Sequence, residues 1–382
     1  MKKISINTLC CSFLLSLACQ NVWAAAYQIF PELAYDNAAA LNSIKKGQVI
    51  LGMGIPTIDF HFKGSNGPFS GQASAGATNV LPFGRLAWRL SPKIVTSFDI
   101  TNPAYSDFKY PVDSIVSTLS SSTVQIGRNY SPKFSYEIKP GFAIGAGFDA
   151  HHFSDVQLSF VVPPFGELSN RASGWAYGWD AGVFYALSQT TFASLSYYSQ
   201  MNHEDTGTST WGPFSTNNYR ANIVLPATTS LNLVHLLSQK WVLSGTLRYI
   251  QWKAYQNIYN QNTALPVNSG LLVLPLGYHN SWSGQLATRY QVNERWAVKG
   301  ALEYDSNLQP LIYRPLGQPA DQLGLIAFGG EYAFNKEWSA SLVYIHGFSN
   351  PKLQNMGPIG PVDGRVKINA NVVSMNLTWN IG

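Results

Sequence analysis

The stretch Ser238-Gln239-Lys240-Trp241-Val242-Leu243-Ser244-Gly245-Thr246-Leu247-Arg248-Tyr249 holds one repeat of the fold. A short polar turn is followed at once by a tryptophan. Along an extended chain Trp241, Leu243, Leu247 and Tyr249 then share one face, and Ser244, Thr246 and Arg248 the other, because successive side chains of a strand point to opposite sides. The same alternation sets Trp296, Val298, Leu302 and Tyr304 against Lys299, Glu303 and Asp305. It sets Trp338, Leu342 and Tyr344 against Ser339 and Ser341, and Trp175, Tyr177, Trp179, Val183 and Tyr185 against Asp180. One face is built for an apolar medium and the other for a polar interior.

Six short polar turns punctuate the chain, most followed at once by an aromatic, at Ser91-Pro92, Lys139-Pro140, Ser188-Gln189, Ser238-Gln239, Asn293-Glu294 and Asn335-Lys336, at intervals of 48, 49, 50, 55 and 42 residues. Each joins two long strands, so six hairpins give twelve strands; residues 48–62 and 366–381 add one each, for fourteen. An even number of antiparallel strands suits a closed single-chain barrel. Eight residues separate Trp241 from Tyr249, which at about 3.3 Å per residue and roughly 40° of tilt covers about 20 Å of height, close to an apolar band between aromatic girdles. Tryptophans just after the turns mark the periplasmic interface; core tryptophans of a soluble sheet would not recur at one depth. A kelch-type propeller also repeats near 50 residues but needs four short strands per repeat, and here two long ones fill each interval.

Composition agrees. Charged residues are 12% of the chain and aromatics 13%, against roughly a quarter charged in an ordinary soluble domain. No stretch after residue 26 approaches 18 uninterrupted apolar residues, so the apolar surface must be accepted by strands alternating toward lipid.

Met1-Lys2-Lys3, the apolar run from about Leu9 to Cys19 and the small residues up to Ala26 read as a secretory signal over residues 1–24, with Ser16-Leu17-Ala18-Cys19 as a poorer lipoprotein alternative. All three cysteines, Cys10, Cys11 and Cys19, fall within it, which excludes a disulfide framework in the exported part. Without Lys2 and Lys3 the 25 basic residues become 23 against 20 acidic, a net charge of +3 with no basic stripe and thus no nucleic-acid partner. Residues 25–47 are too few for a domain and can fold into the lumen or hang as a tail; residues 48–382 are the barrel.

The connections opposite the turns, roughly 62–80, 105–125, 160–172, 205–218, 258–276, 307–320 and 348–365, are rich in Gly, Pro, Asn and Ser and read as outer loops. Apolar residues such as Phe165 and Leu272 within them serve either loop packing or capture of an apolar ligand. A fatty-acid-like ligand needs an apolar sleeve and a cation for its head. Arg248 and Lys299 face the lumen by alternation and are the head-group candidates; the competing reading pairs them with Glu303, Asp305 or Asp180. Ile29, Phe30, Phe165 and Leu272 are the tail candidates. His151-His152 invites a metal reading, but neighbours on a strand point apart and nothing nearby completes a site. No metal or other cofactor is expected. No Gly-x-Ser-x-Gly elbow supports an enzyme.

Six segments, in order, resemble the FadL/TodX family of outer-membrane transporters for long-chain fatty acids and aromatic hydrocarbons. They are Asn37-Ala38-Ala39-Ala40-Leu41, Ile100-Thr101-Asn102-Pro103-Ala104-Tyr105 ending the third strand, and Gly174 through Gly182 opening the sixth. The others are Leu225-Pro226-Ala227-Thr228 in the eighth, Trp252 through Gln256 in the ninth, and Tyr332 through Lys336 at the last hairpin. The resemblance implies an all-β, fourteen-stranded antiparallel transmembrane barrel with a short N-terminal hatch in its lumen. It also implies capture of hydrophobic small molecules at the outer loops and sideways release into the membrane beside a kinked strand. Two departures stand out. The hatch motif Asn-Pro-Ala is here Asn37, Ala38, Ala39, and the chain ends Trp379-Asn380-Ile381-Gly382 instead of on an aromatic, so Trp379 is expected to serve the barrel-assembly machinery. The expected partners are hydrophobic molecules, outer-membrane lipids and that machinery. The expected function is passive transport of long-chain fatty acids; a monoaromatic hydrocarbon carrier, a surface adhesin or receptor, and a lipid hydrolase are the alternatives.

Overall fold

The turn chemistry explains the repeat. At the last two inner turns Asn293 Oδ1 accepts from the backbone N–H groups of Arg295 and Trp296, and Asn335 Oδ1 accepts from those of Glu337 and Trp338, at 2.8–2.9 Å. An asparagine folded back on its own turn delivers the next strand starting at tryptophan. The computed structural model describes residues 37–266, 268–317, 319–355 and 361–382. The expected secretory signal and the tail candidates Ile29 and Phe30 lie outside the described residues.

From the first strand the chain runs through β1 (Gly47–Asn66), β2 (Phe69–Thr78), β3 (Leu81–Ser91), β4 (Ile94–Thr101), β5 (Tyr105–Lys109), β6 (Ser122–Lys139) and β7 (Phe142–Val162). It continues with β8 (Gly166–Ala186), β9 (Thr191–Tyr198), β10 (Met201–Trp211), β11 (Phe214–Leu225), β12 (Thr228–Leu236), β13 (Trp241–Ile250) and β14 (Asn257–Gln261). Last come β15 (Leu272–Pro275), β16 (Ser281–Gln291), β17 (Trp296–Asp305), β18 (Leu323–Ala333), β19 (Trp338–Ser349), β20 (Lys352–Asn355) and β21 (Val362–Ile381). The antiparallel ladders β1–β3–β4–β6–β7–β8–β9 and β9–β12–β13–β16–β17–β18–β19–β21 join, and β21 pairs back onto β1. The ring is a closed 14-stranded barrel. Its seam is unbroken: β1 and β21 stay in register from Gly47↔Ile381 to Asn66↔Val362.

The wall sorts side chains as the sequence analysis expected. On β17 Trp296 and Leu302 are 51% and 59% exposed toward lipid, whereas Lys299 and Ala301 between them are 6% exposed. Trp338 and Trp379 stack at 5.3 Å with ring planes 5° apart, in the girdle at the short-turn end, the periplasmic end of such a barrel.

The outer side differs from the expected loops. Residues 62–80 are mostly strand, with β1 and β2 paired down to a turn at Gly67, whose φ of +58° suits a residue without a side chain. The stretches 160–172 and 205–218 are likewise the ends of hairpins β7–β8 and β10–β11. Pairing continues above the membrane, where outward positions such as His61 and Lys63 are polar, so apolar alternation stops well before the strands do.

Candidate functional site

The segment Asn37–Ser43 lies against the inner wall near the short-turn end. Asn37 caps the 3-10 turn Ala38–Ser43 by accepting from the Ala39 N–H at 2.9 Å. Its Nδ2 donates to the Val183 carbonyl of β8 at 3.0 Å and to the Leu195 carbonyl of β9 at 3.1 Å. Two inward glycines leave the room: a Cβ on Gly182 would strike the Asn37 amide, and one on Gly145 would strike the backbone of Ala38 and Ala39. On the other side Asn42 Nδ2 donates to Ser135 Oγ at 2.6 Å, and Arg89 donates to the Ile44 and Asn42 carbonyls at 2.9 and 2.5 Å. Ala38, Ala39 and Leu41 are buried. The short side chain at 38 and 39 is what lets the turn lie flat on the β7 wall.

Above this segment the lumen carries buried ion pairs. Lys133 Nζ lies 3.3 Å from Asp180 Oδ2 and donates to the Tyr198 hydroxyl at 2.7 Å. Arg85 and Asp99 form a two-pronged pair at 2.9 Å. Arg248 reaches Glu303 at 2.7 Å, and Lys299 reaches Glu331 at 3.3 Å and Ser341 Oγ at 3.2 Å. Both head-group candidates therefore stand in the lumen, each beside a carboxylate. Phe165 and Leu272 stand elsewhere. Phe165 lies at an outer hairpin tip, packed on the rings of Trp211 and Phe214 at 5.0 and 5.8 Å. Leu272 packs between two apolar clusters of the outer hairpins.

Between those levels a narrow cavity of about 30 Å³ is lined mainly by Val156, Leu158, Tyr219, Ile223, Ile258 and Leu274, with Gln125 and Gln157 among its few polar groups. Leu274 shares a strand face with Leu272. Tyr110 and Tyr255, in the outer hairpins, are buried deeply enough that desolvation raises both phenols above their usual range, so they stay neutral.

Beside the cavity the barrel wall is interrupted. The ladder between β3 and β4 runs from Ser91↔Ile94 up to Gly84↔Ile100. Above it β2 pairs with β1 and β5 pairs with β6, and among the described residues no ladder joins β2 to β5. Side-chain amides cross there: Asn79 Nδ2 donates to the Tyr105 hydroxyl at 3.0 Å and to Asp107 at 2.6 Å, and Asn102 Nδ2 donates to the Pro82 carbonyl at 2.8 Å. Asn102-Pro103-Ala104 does not end the third strand as expected. It interrupts it, because proline has no N–H for the ladder.

A buried chain of side chains carries no motif in the sequence. His203 Nδ1 is 3.0 Å from Asp205 Oδ1, and its Nε2 is 2.9 Å from His151 Nδ1. Alternation along β10 was the available signal. His152 points outward and stacks on Trp175 at 4.4 Å, so the two histidines part as expected. Among the described residues no group of three or more His, Cys, Asp or Glu could hold a metal. One histidine does reach a serine, His61 to Ser74 at 2.9 Å. That pair sits on the exposed outer face, and among the described residues no carboxylate orients its ring.

The family model described as "Outer membrane protein transport protein (OMPP1/FadL/TodX)" matches residues 24–380. The long-chain fatty acid transport protein of Salmonella typhi is 23% identical over 256 residues, 56% of this chain and 58% of that protein. That of Escherichia coli K12 is 26% identical over 198 residues, 46% and 43%. The chain thus spans about half the length of these relatives. Among solved structures, a Pseudomonas aeruginosa FadL homologue superposes with a TM-score of 0.82 at 16% identity, covering 94% of this chain and 96% of that one. The Pseudomonas putida toluene transporter TodX gives 0.69 at 15% identity, covering 90% and 92%. With the matched model running nearly end to end on a closed 14-stranded barrel, the chain belongs to the OMPP1/FadL/TodX family of outer-membrane transport proteins.

Proposed function

We propose that this protein carries hydrophobic molecules, long-chain fatty acids first among them, passively across the outer membrane. The observation that carries the reading is the interrupted ladder between β2 and β5, one strand away from an apolar cavity lined in part by β6. A ligand in that cavity has an unladdered stretch of wall beside it, while the 37–43 segment occupies the lumen below. A polar solute gains nothing from such a route, whereas an apolar one stays out of water throughout. At about 30 Å³ the cavity is far smaller than the roughly 300–1,000 Å³ of a ligand pocket, so loading requires the outer hairpins to part. The Phe165–Trp211–Phe214 cluster gives the ligand a first apolar contact.

Arg248 and Lys299 are assigned the carboxylate, which must then displace Glu303 or Glu331 from them. A neutral aromatic ligand makes no such demand. The two curated relatives above are named for long-chain fatty acids and TodX for toluene. Uptake of labelled oleate and toluene by a strain without its own carriers, with and without this protein, tests the proposal. Increased uptake of oleate supports it; increased uptake of toluene alone moves the substrate to the aromatic class. If neither increases while the barrel is folded in the outer membrane, transport of hydrophobic molecules is refuted. Arg248→Met with Lys299→Met should lower oleate binding more than toluene binding, and equal losses would remove the head-group assignment.

A further inference from the structure

The outer extension of the β20–β21–β1–β2 sheet has two unlike faces. Phe60, Phe62, Val362 and Val366 point inward into an apolar cluster. The opposite face carries Lys352, Arg365 and Lys63 directly across from one another in one row, since Lys352 pairs with Arg365 and Arg365 with Lys63. One row nearer the membrane, Lys367 stands opposite His61. All five side chains are exposed.

Like charges directly opposite on neighbouring strands are destabilising, and three abreast at about 4.8 Å spacing is a costly arrangement unless an anion sits over them. Among the described residues none of Lys63, Lys352, Arg365 and Lys367 forms an ion pair. The outward carboxylates in the flanking rows are Asp363 above and Asp59 below, leaving a net charge of +2 from the four cations and two acids. The same face holds a depression of about 520 Å³ whose side-chain lining is Lys63, Ser65, Ser70, Gln72 and Asp363. Gly64, paired in register with Gly71 and with Gly364, leaves bare backbone at its floor, with the missing side chains on the inward face. It is polar, outward and beside the cation row.

Its height identifies what could fill it. Lys367 and Arg365 lie twelve and fourteen residues up β21 from the girdle residue Trp379, about 30 and 35 Å at the usual rise and tilt. An apolar band about 25 Å tall therefore ends some 5–10 Å below them, at the level of the outer-leaflet headgroups. We infer that this face is a docking site for a phosphate-bearing lipid headgroup of the outer leaflet, with Lys63, Arg365 and Lys352 holding the phosphate and the glycine-floored depression taking its sugar. Lys367 supplies the contact nearest the acyl chains.

The test uses the folded, detergent-purified full chain titrated with fluorescent bisphosphorylated lipid A in mixed micelles. Lipid A lacking phosphates and phosphatidylglycerol at equal charge are the competitors. Lys63→Gln with Arg365→Gln should weaken binding roughly five-fold for each cation removed; Lys240→Gln with Lys336→Gln, at the short-turn end, should leave it unchanged. Equal binding by the Lys63/Arg365 variant, an equal loss in the Lys240/Lys336 control, or equal competition by phosphatidylglycerol would each overturn the assignment, the last two by showing diffuse charge attraction only. If the double variant does not fold, judged by heat-modified migration, Lys367→Gln alone is read against the same criteria.

Discussion

Replacing Asn37 with alanine should release the lumen segment while leaving the barrel intact. The side chain makes three hydrogen bonds, one accepted from the Ala39 N–H and two donated to the Val183 and Leu195 carbonyls, all 2.9–3.1 Å long. At about 1 kcal/mol net for each, with the capping loss included in that sum, docking weakens by about 3 kcal/mol. The ratio of docked to undocked segment then falls ~150-fold, since 1.4 kcal/mol is a factor of ten. Leu41→Cys, placed in a chain whose Cys10, Cys11 and Cys19 are replaced by Ser, offers a clean reporter, because Leu41 is 3% exposed. Labelling of Cys at this position by a water-soluble maleimide, under conditions where docking and undocking are fast, should be ~100-fold faster with Asn37→Ala than without it. A rate within threefold of the parent would refute the claim that these hydrogen bonds hold the segment in place. Gly182→Ala should give the same acceleration from the opposite partner, because its Cβ would occupy the Asn37 amide site.

Lys133→Met should cost about 3–5 kcal/mol in urea-induced unfolding of the reconstituted barrel, because Asp180, 1% exposed, loses the cation at 3.3 Å; adding Asp180→Asn should restore most of that loss. Asn79→Ala removes two of the side-chain hydrogen bonds spanning the wall break. At about 1 kcal/mol each, amide hydrogen exchange in β5 should accelerate roughly 30-fold, with no change in β6 where it faces β7. Trp338→Ala should lower barrel stability by about 1 kcal/mol beyond the apolar area lost, through the stacked partner Trp379; a parallel loss with Trp379→Ala and no further loss in the double variant would show that the two act as one unit.

Much of the barrel is legible in the sequence because two local signals coincide at several turns: a polar residue that folds back on the backbone, as Asn293 and Asn335 do, and an aromatic that must lie at the interface. Alternation then places Lys299 inward and Leu302 outward without any knowledge of neighbours. The outer hairpins are not legible in this way. Their outward positions, such as Lys63 and Arg365, meet water or headgroups, so the apolar half of the pattern vanishes while the ladder continues. The candidate path was legible only in pieces. Pro103 signalled an interruption, but whether it ends a strand or opens the wall depends on whether β2 and β5 pair, which no local pattern encodes. The Lys133–Asp180 and His151–His203 contacts join residues tens of positions apart, and alternation gives each an inward direction without giving it a partner.

The seam between β1 and β21 also dictates the order in which the molecule can be made. Every other junction of the ring joins strands near in sequence, whereas Gly47 meets Ile381, a closure that costs about 3 kcal/mol more loop entropy than a ten-residue hairpin. The seam is therefore the last junction to form. Until it does, an open sheet carries two edges of 20 residues each, whose free N–H and C=O groups hydrocarbon cannot satisfy. Losing the last few residues would leave the Gly47 end of β1 without its partner, a short unpaired edge at the level of the girdle residue Trp379, while the rest of the seam stays paired.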